Sequence, residues 1–200
     1  MTPITDRRVR RTRAALLDAL LSLMVEKGYE AVTVQDLIDR ADVGRSTFYA
    51  HFTDKSDLLD EALSVLRAII EPAPDAPTPD RRRPLHFSRR MFHHVRDQQP
   101  LLKALLAHPG TNQVIAEIER MLLDIVQAEL EAFAGSQATV RVPLDLLGHS
   151  VVASYLAALT WWVANDFRQT PDEMETLFQS IVAPGVRAAI PARGRGASDG

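Results

Sequence analysis

Apolar positions recur along this chain at helical rather than strand spacing. Leu16, Leu20, Leu23 and Met24 stand at i, i+4, i+7 and i+8, and Gly28 follows as a C-terminal stop, which predicts a first helix over residues 10–27. Thr33 then precedes Val34, Leu37, Ile38 and Ala41 on one face. Asp36, three residues beyond Thr33, completes a capping-box-like start for a second helix over 34–41. After Asp42-Val43-Gly44 a short third helix is expected at 45–51, with Phe48 and Phe52 four apart and facing a core. Asp54 and Asp57 open a fourth pattern, in which Leu58, Leu59, Ala62, Leu63 and Leu66 carry an apolar face as far as Ile70.

Five prolines at 72, 74, 77, 79 and 84, with Arg81-Arg82-Arg83 among them, then break the helical pattern and predict an extended loop. Beyond it the periodicity places helices at 84–97, 100–107, 112–134, 144–167 and 172–189, and no strand alternation appears, so the fold class expected is all-α. Thr170-Pro171-Asp172-Glu173 combines an N-cap Thr, a Pro at N1 and a Glu at N3 ahead of the apolar face Met174, Leu177, Phe178 and Ile181. A kink is expected at Pro184-Gly185, and residues 191–200, without apolar anchors, are expected to form a mobile tail.

Composition narrows the classes. Two hundred residues with 46% apolar and 24% charged side chains suffice for an ordinary core. The absence of cysteine removes disulfides, thiolate nucleophiles and cysteine-ligated zinc, and fits a reducing, cytoplasmic setting. The stretches Ala14–Val25 and Val151–Leu159 are interrupted and short, so no membrane span and no membrane partner are expected. Asp18 likewise breaks the apolar run behind the N-terminal arginines, which excludes a signal-peptide reading. Net charge is −3, yet five arginines crowd positions 7–13 against the single acid Asp6. That cluster, Arg10 and Arg11 in particular, has three readings: entry into a minor groove, phosphate contact, or a solvated start to the first helix.

Two helices separated by a tight turn, the second rich in Arg, Ser, Thr and Tyr, match the helix-turn-helix plan for reading a major groove. Arg45 suits guanine O6 and N7 or a phosphate, and Thr47 offers a hydroxyl to phosphate and a methyl to thymine. Tyr49 and His51 suit phosphates, the helix start at Thr33 presents amides to an anion, Ser46 lies on the same short helix, and Lys55 would add a phosphate contact.

The segment GYEAVTVQDLIDRADVGRSTFYAHFTDKSDLL resembles the DNA-binding domain of the tetracycline-repressor (TetR) family of bacterial transcription regulators. Gly28-Tyr29, Thr33, Ala41, Val43, Thr47, Tyr49, His51-Phe52 and Lys55 carry the resemblance, which covers residues 10–66. Asp42 stands where the family often has Gly, Gly44 where it has a Ser or Thr cap, and Ser46 where it has Gly; these departures bear on operator sequence. The resemblance implies a basic arm at 1–9, a three-helix helix-turn-helix domain at 10–66, and a C-terminal helical domain at 67–190 that binds an effector and dimerises. The partners it implies are a double-stranded operator, a second copy of the chain and a small-molecule effector. One short helix reads too few base pairs for specificity, whereas two on a two-fold axis read a pseudo-palindrome.

Ser150, Ala153, Ala157 and Ala164 form a small-residue stripe suited to close helix approach, and with Leu177, Phe178 and Ile181 they are the expected dimer interface. Phe92, Met121, Tyr155, Trp161 and Trp162 are candidates for an effector pocket against ordinary core packing, and the two adjacent tryptophans point about 100° apart on a helix, so one at most faces a given cavity. His86, His93, His94, His108 and His149 make no i, i+4 pair with a completing acid, so no metal and no cofactor are expected. Without a nucleophile elbow, phosphate loop or HExxH pattern, no enzyme is expected either. The alternative is a helical protein–protein adaptor that has lost DNA binding.

Overall fold

The computed structural model describes residues 3–71, 84–135 and 140–191. Most of the proline-rich stretch and of the C-terminal tail lie outside these residues. Among the described residues the secondary structure is helical: α1 Pro3–Lys27, α2 Val34–Ala41, α3 Arg45–Tyr49, α4 Lys55–Ile70, α5 Phe87–Asp97, α6 Gln99–Ala107, a 3-10 turn Pro109–Thr111, α7 Asn112–Ala134, α8 Leu144–Ala164 and α9 Pro171–Ala189.

The differences from the expected boundaries have local causes. The arm expected over residues 1–9 is instead helical from Pro3, because proline suits a first turn and arginine is a good helix former. α5 starts at Phe87 because Leu85 has a positive φ of 69°. α8 stops at Ala164, ahead of Asp166 and Phe167 at φ 52° and 51°. α9 runs through Pro184 and Gly185 unbroken; Ser180, whose carbonyl loses its helical donor there, is exposed to water. By length and composition α8 is long and apolar enough to cross a membrane, a test that the core helix of a soluble protein also passes, and 33% of that window is buried.

The described chain divides into two compact units. The first comprises the chain as far as Ala68 together with Gln98–Ile118; the second comprises Ile69–Asp97 and the chain from Glu119. The division falls within α4 and within α7, so α6 and the 3-10 turn pack with the first unit and not with the rest of the region expected at 67–190. In the first unit Leu16, Leu20, Leu23 and Met24 meet Leu37, Ile38, Phe48, Phe52, Leu58 and Leu105 in one core. Gly28, at φ +76°, ends α1 in the left-handed conformation, with His108 packed beside it.

The second unit has an aromatic core. Tyr155 is in ring contact with Phe87, Phe92 and Phe178 at centroid distances of 5.2, 4.9 and 5.5 Å, and Trp162 stacks edge-on against Phe92 and Phe167. Such edge-to-face pairs contribute about 0.5–1.5 kcal/mol each beyond area burial.

Candidate nucleic-acid interface

α2 and α3 are set by caps and by one left-handed residue. Thr33 caps α2: its hydroxyl accepts from the Asp36 amide, and the Asp36 carboxylate accepts from the Thr33 amide at 2.7 Å. Lys27 pairs with Asp36 at 2.7 Å and, with Thr33, holds that carboxyl well below the usual carboxylate range. Asp42 closes α2 at φ 50°, ψ 51°, fulfilling the turn geometry for which glycine is usual. Arg40 binds Glu26 with both terminal nitrogens, at 2.8 and 2.6 Å, and fixes α2 against α1.

On α3, Phe48 is buried and stacks against Phe52 and, edge-on, against Tyr49. That single anchor orients the helix. Arg45, Ser46 and Tyr49 are exposed, Tyr49 by 52%, while Thr47 and His51 are half-buried. Ser46, Thr47 and His51 line a shallow groove of about 260 Å³ together with Arg8, Val9 and Thr12 of α1. Arg8 belongs to the arginine cluster already offered as a DNA contact, whereas Thr12 is an interface candidate that sequence reading missed. The signal for Thr12 was its i, i+4 spacing from Arg8, hidden because Arg8 was read as lying in an arm ahead of the helix.

Three expectations change. Lys55 does not project as a free cation: its ammonium donates to the carbonyls of Tyr29, Glu30 and Val32 at 3.0, 3.1 and 2.9 Å and lies 4.5 Å from the Tyr29 ring centre. Its three N–H donors are thereby committed, and partial burial lowers its pKa. The N-terminus of α2 likewise already holds an anion, the Asp36 carboxylate, so Thr33 is engaged in its own cap. Within the arginine cluster Arg10 and Arg11 are exposed, whereas Arg13 pairs with Glu61 at 2.9 Å and covers the Phe52 ring.

In the second unit, Ser150, Ala153, Ala157 and Ala164 lie on an exposed face of α8 with Leu146 and Trp161, the latter 47% exposed. Leu177 and Ile181 are exposed on α9, Ile181 by 74%. Phe178 is a correction to the expected interface: it is 2% exposed within the aromatic core, because it shares the Met174 and Val182 side of α9. The pocket candidates divide as well. Phe92, Tyr155 and Trp162 are fully buried, with Phe92 in ring contact with each of the other two, and Met121 is buried, whereas Trp161 faces outward.

Two family models match the chain, one described as bacterial regulatory proteins of the tetR family over residues 16–62 and one as a transcriptional regulator C-terminal region over residues 83–183. The chain is 43% identical over 54 residues to the HTH-type transcriptional repressor KstR of Mycobacterium tuberculosis, covering 27% of this chain and 24% of that protein. It spans only 14% and 30% of the length of two Bacillus subtilis HTH-type regulators it also matches. Among solved structures, a TetR transcriptional regulator from Streptococcus agalactiae superposes with a TM-score of 0.64 at 23% identity, over 90% of this chain and 97% of that one. The SmeT–triclosan complex superposes with a TM-score of 0.60 at 17% identity, over 92% and 93%.

Proposed function

This chain belongs to the TetR family of bacterial regulatory proteins and carries its DNA-binding domain, and from that premise we propose that it binds a pseudo-palindromic operator as a homodimer, represses transcription there, and is released or modulated by a small-molecule effector. The observation that carries the reading is α3: Phe48 points in, Arg45, Ser46 and Tyr49 are exposed, and Ser46, Thr47 and His51 line a groove with Arg8. Arg45 reads a base edge or a phosphate, while Thr47, Tyr49 and His51 set position on the backbone.

Dimerisation is supported by the uncovered apolar face of α8 and α9, since a monomer gains nothing from exposing Leu146, Trp161, Leu177 and Ile181 together. Repression is favoured by the KstR likeness and an effector by the SmeT–triclosan likeness, both at the level of the family. α4, within which the first unit ends, is the covalent route by which an effector in the second unit would reach the reading helix, with a hinge near Leu66–Ile70. Such coupling requires a difference in effector affinity between two states of about 1–3 kcal/mol.

The test is fluorescence anisotropy with labelled DNA from upstream of the protein's own gene and of its neighbours, titrated against salt and unlabelled random DNA. Saturable binding that survives competitor and weakens with salt is the expected result. Binding no tighter than to random DNA on all of these promoters would overturn the regulator reading.

A further inference from the structure

The arginines upstream of the first buried leucine stand on a helix and not on an extended arm. α1 is helical from Pro3, so Arg7, Arg8, Arg10 and Arg11 project from a rod about 10–12 Å across. A minor groove about 6 Å wide admits an extended arm but not such a rod. A major groove about 12 Å wide admits one helix and is filled by it. With α3 in that groove, whatever stands beside α3 meets the sugar–phosphate wall and not the base edges.

The upstream end of α1 stands beside α3. Arg8, Val9 and Thr12 line a groove of about 260 Å³ with Ser46, Thr47, Ala50 and His51. Arg8 and Thr12, four residues apart, lie one above the other on the face turned to α3, about 6 Å apart along the axis. Arg13 points to the other flank of α1, where it pairs with Glu61 and covers the Phe52 ring.

Two properties set this groove apart. Its described lining holds the basic residue Arg8 and the titratable His51 and no acid. Arg8 is exposed and, among the described residues, is in no ion pair, whereas Arg13 and Arg40 are both paired with glutamates. The second property is a set of uncommitted donors. On other helices Ser150, Ser154, Thr160 and Thr176 donate to the carbonyl four residues back, and Thr33 and Thr170 serve caps. Among the described residues the side chains of Thr12, Ser46, Thr47 and His51 make no hydrogen bond. Donors of this kind around an acid-free space complement a phosphate, whose outer oxygens only accept.

We propose that the α1–α3 groove seats a backbone phosphate of bound DNA, held by the Arg8 guanidinium and the Thr12 and Thr47 hydroxyls at the border of the major groove that α3 occupies. The cluster at the start of α1 then supplies affinity and register and reads no minor groove. The inference rests on the regulator reading above in taking α3 as the reading helix. The contact itself is independent of sequence and acts on any duplex.

The experiment is fluorescence anisotropy of the full chain across a salt series on three kinds of duplex. Two carry the upstream sequence that the wild type binds best, with the base pairs flanking it all A·T or all G·C, and the third is random. Arg8→Ala is expected to weaken binding roughly threefold to tenfold, by the same factor on both flanks, and to lower the slope of log affinity against log salt by about 0.9. Arg8→Lys is expected to keep the slope, because an ammonium serves a phosphate as a point charge. Thr12→Val, which keeps the shape of the side chain, is expected to weaken binding roughly threefold to tenfold with the slope unchanged. All variants are compared at equal helicity by circular dichroism.

An unchanged affinity and slope in Arg8→Ala, a loss confined to A·T flanks, a slope in Arg8→Lys as low as in Arg8→Ala, or an unchanged affinity in Thr12→Val would overturn the proposal. The random duplex separates it from the reading on which it rests. A wild type that prefers no upstream sequence contradicts the regulator, while the slopes of wild type and Arg8→Ala on random DNA still decide the phosphate contact.

Discussion

The α2–α3 pair and the α8–α9 pair are built by the same local rules and end with opposite outer faces. Each contains a helix started by a capping box, Thr33 with Asp36 on α2 and Thr170 with Glu173 on α9. Each turns one side inward through a buried aromatic, Phe48 in the first pair and Phe178 in the second. Outward, α3 shows Arg45, Ser46 and Tyr49, whereas α8 and α9 show Leu146, Trp161, Leu177 and Ile181. A polar, hydroxyl- and arginine-bearing face is made for a polyanion, and an uncovered aliphatic and aromatic face is made for another protein surface. The difference in outer face, not the fold of either pair, distinguishes the two proposed partners.

Partly buried charge differs between the two units in the same sense. Lys55, in the first unit, has its ammonium met by three carbonyls. Glu129, in the second, has one oxygen held by an amide and the other held by nothing. The first charge is met in full within the fold; the second is met at one oxygen only.

The largest expected effect comes from reversing the polarity of the α9 face. Leu177→Glu with Ile181→Glu, both exposed, is expected to leave helicity intact, convert the protein from two chains to one in light scattering, and reduce operator affinity by at least about 100-fold, because a half-site alone gives little specificity. An unchanged mass would break the comparison.

Next is Glu129, whose ordinary value of 4.5 is raised to about 7 in the fold. The folded state then holds its proton more tightly than the unfolded chain. Its burden on stability is absent at acid pH, grows between about 4.5 and 7, and is complete above about 7, reaching about 3 kcal/mol at about 1.4 kcal/mol per unit. Thermal melts from pH 5 to pH 8 are expected to show this loss in the wild type and a flattened profile in Glu129→Gln.

Arg45→Ala is expected to cost about 1–3 kcal/mol of operator binding and to relax specificity at one position, measured by anisotropy against single-base variants. A loss of affinity equal across all sequences would instead make Arg45 a phosphate contact. Lys55→Met is the smallest of the four: about 1–2 kcal/mol of stability is lost as carbonyls are left without their donor, and the salt slope of DNA binding stays unchanged. A salt slope reduced by about one would restore Lys55 to the phosphates.

Where periodicity and capping chemistry coincided, the sequence was sufficient. The bounds of α2 and α7 lie at the expected 34–41 and 112–134, and both capping boxes formed. The exposed set Arg45, Ser46 and Tyr49 followed from Phe48 and Phe52 claiming the inner face. The rest depended on long-range partners that no local pattern encodes. Lys55 read as a surface cation because its carbonyl partners lie more than twenty residues upstream. Phe178 read as part of an outward stripe because helical spacing gives a face and not its direction; only contact with Phe87, Phe92 and Tyr155 settles that it points inward. Glu129 carried no sequence signal at all, since its partner amide lies 42 residues away at the start of α5.

The most direct test of the central claim, that the polar face of α3 meets DNA while the apolar face of α8 and α9 meets a second copy, is native mass spectrometry of the protein with a duplex from its own upstream region. The account predicts two chains per duplex for the wild type, and one chain or none when Leu177 and Ile181 are both glutamate. One chain per duplex for the wild type, or two for the double variant, would contradict it.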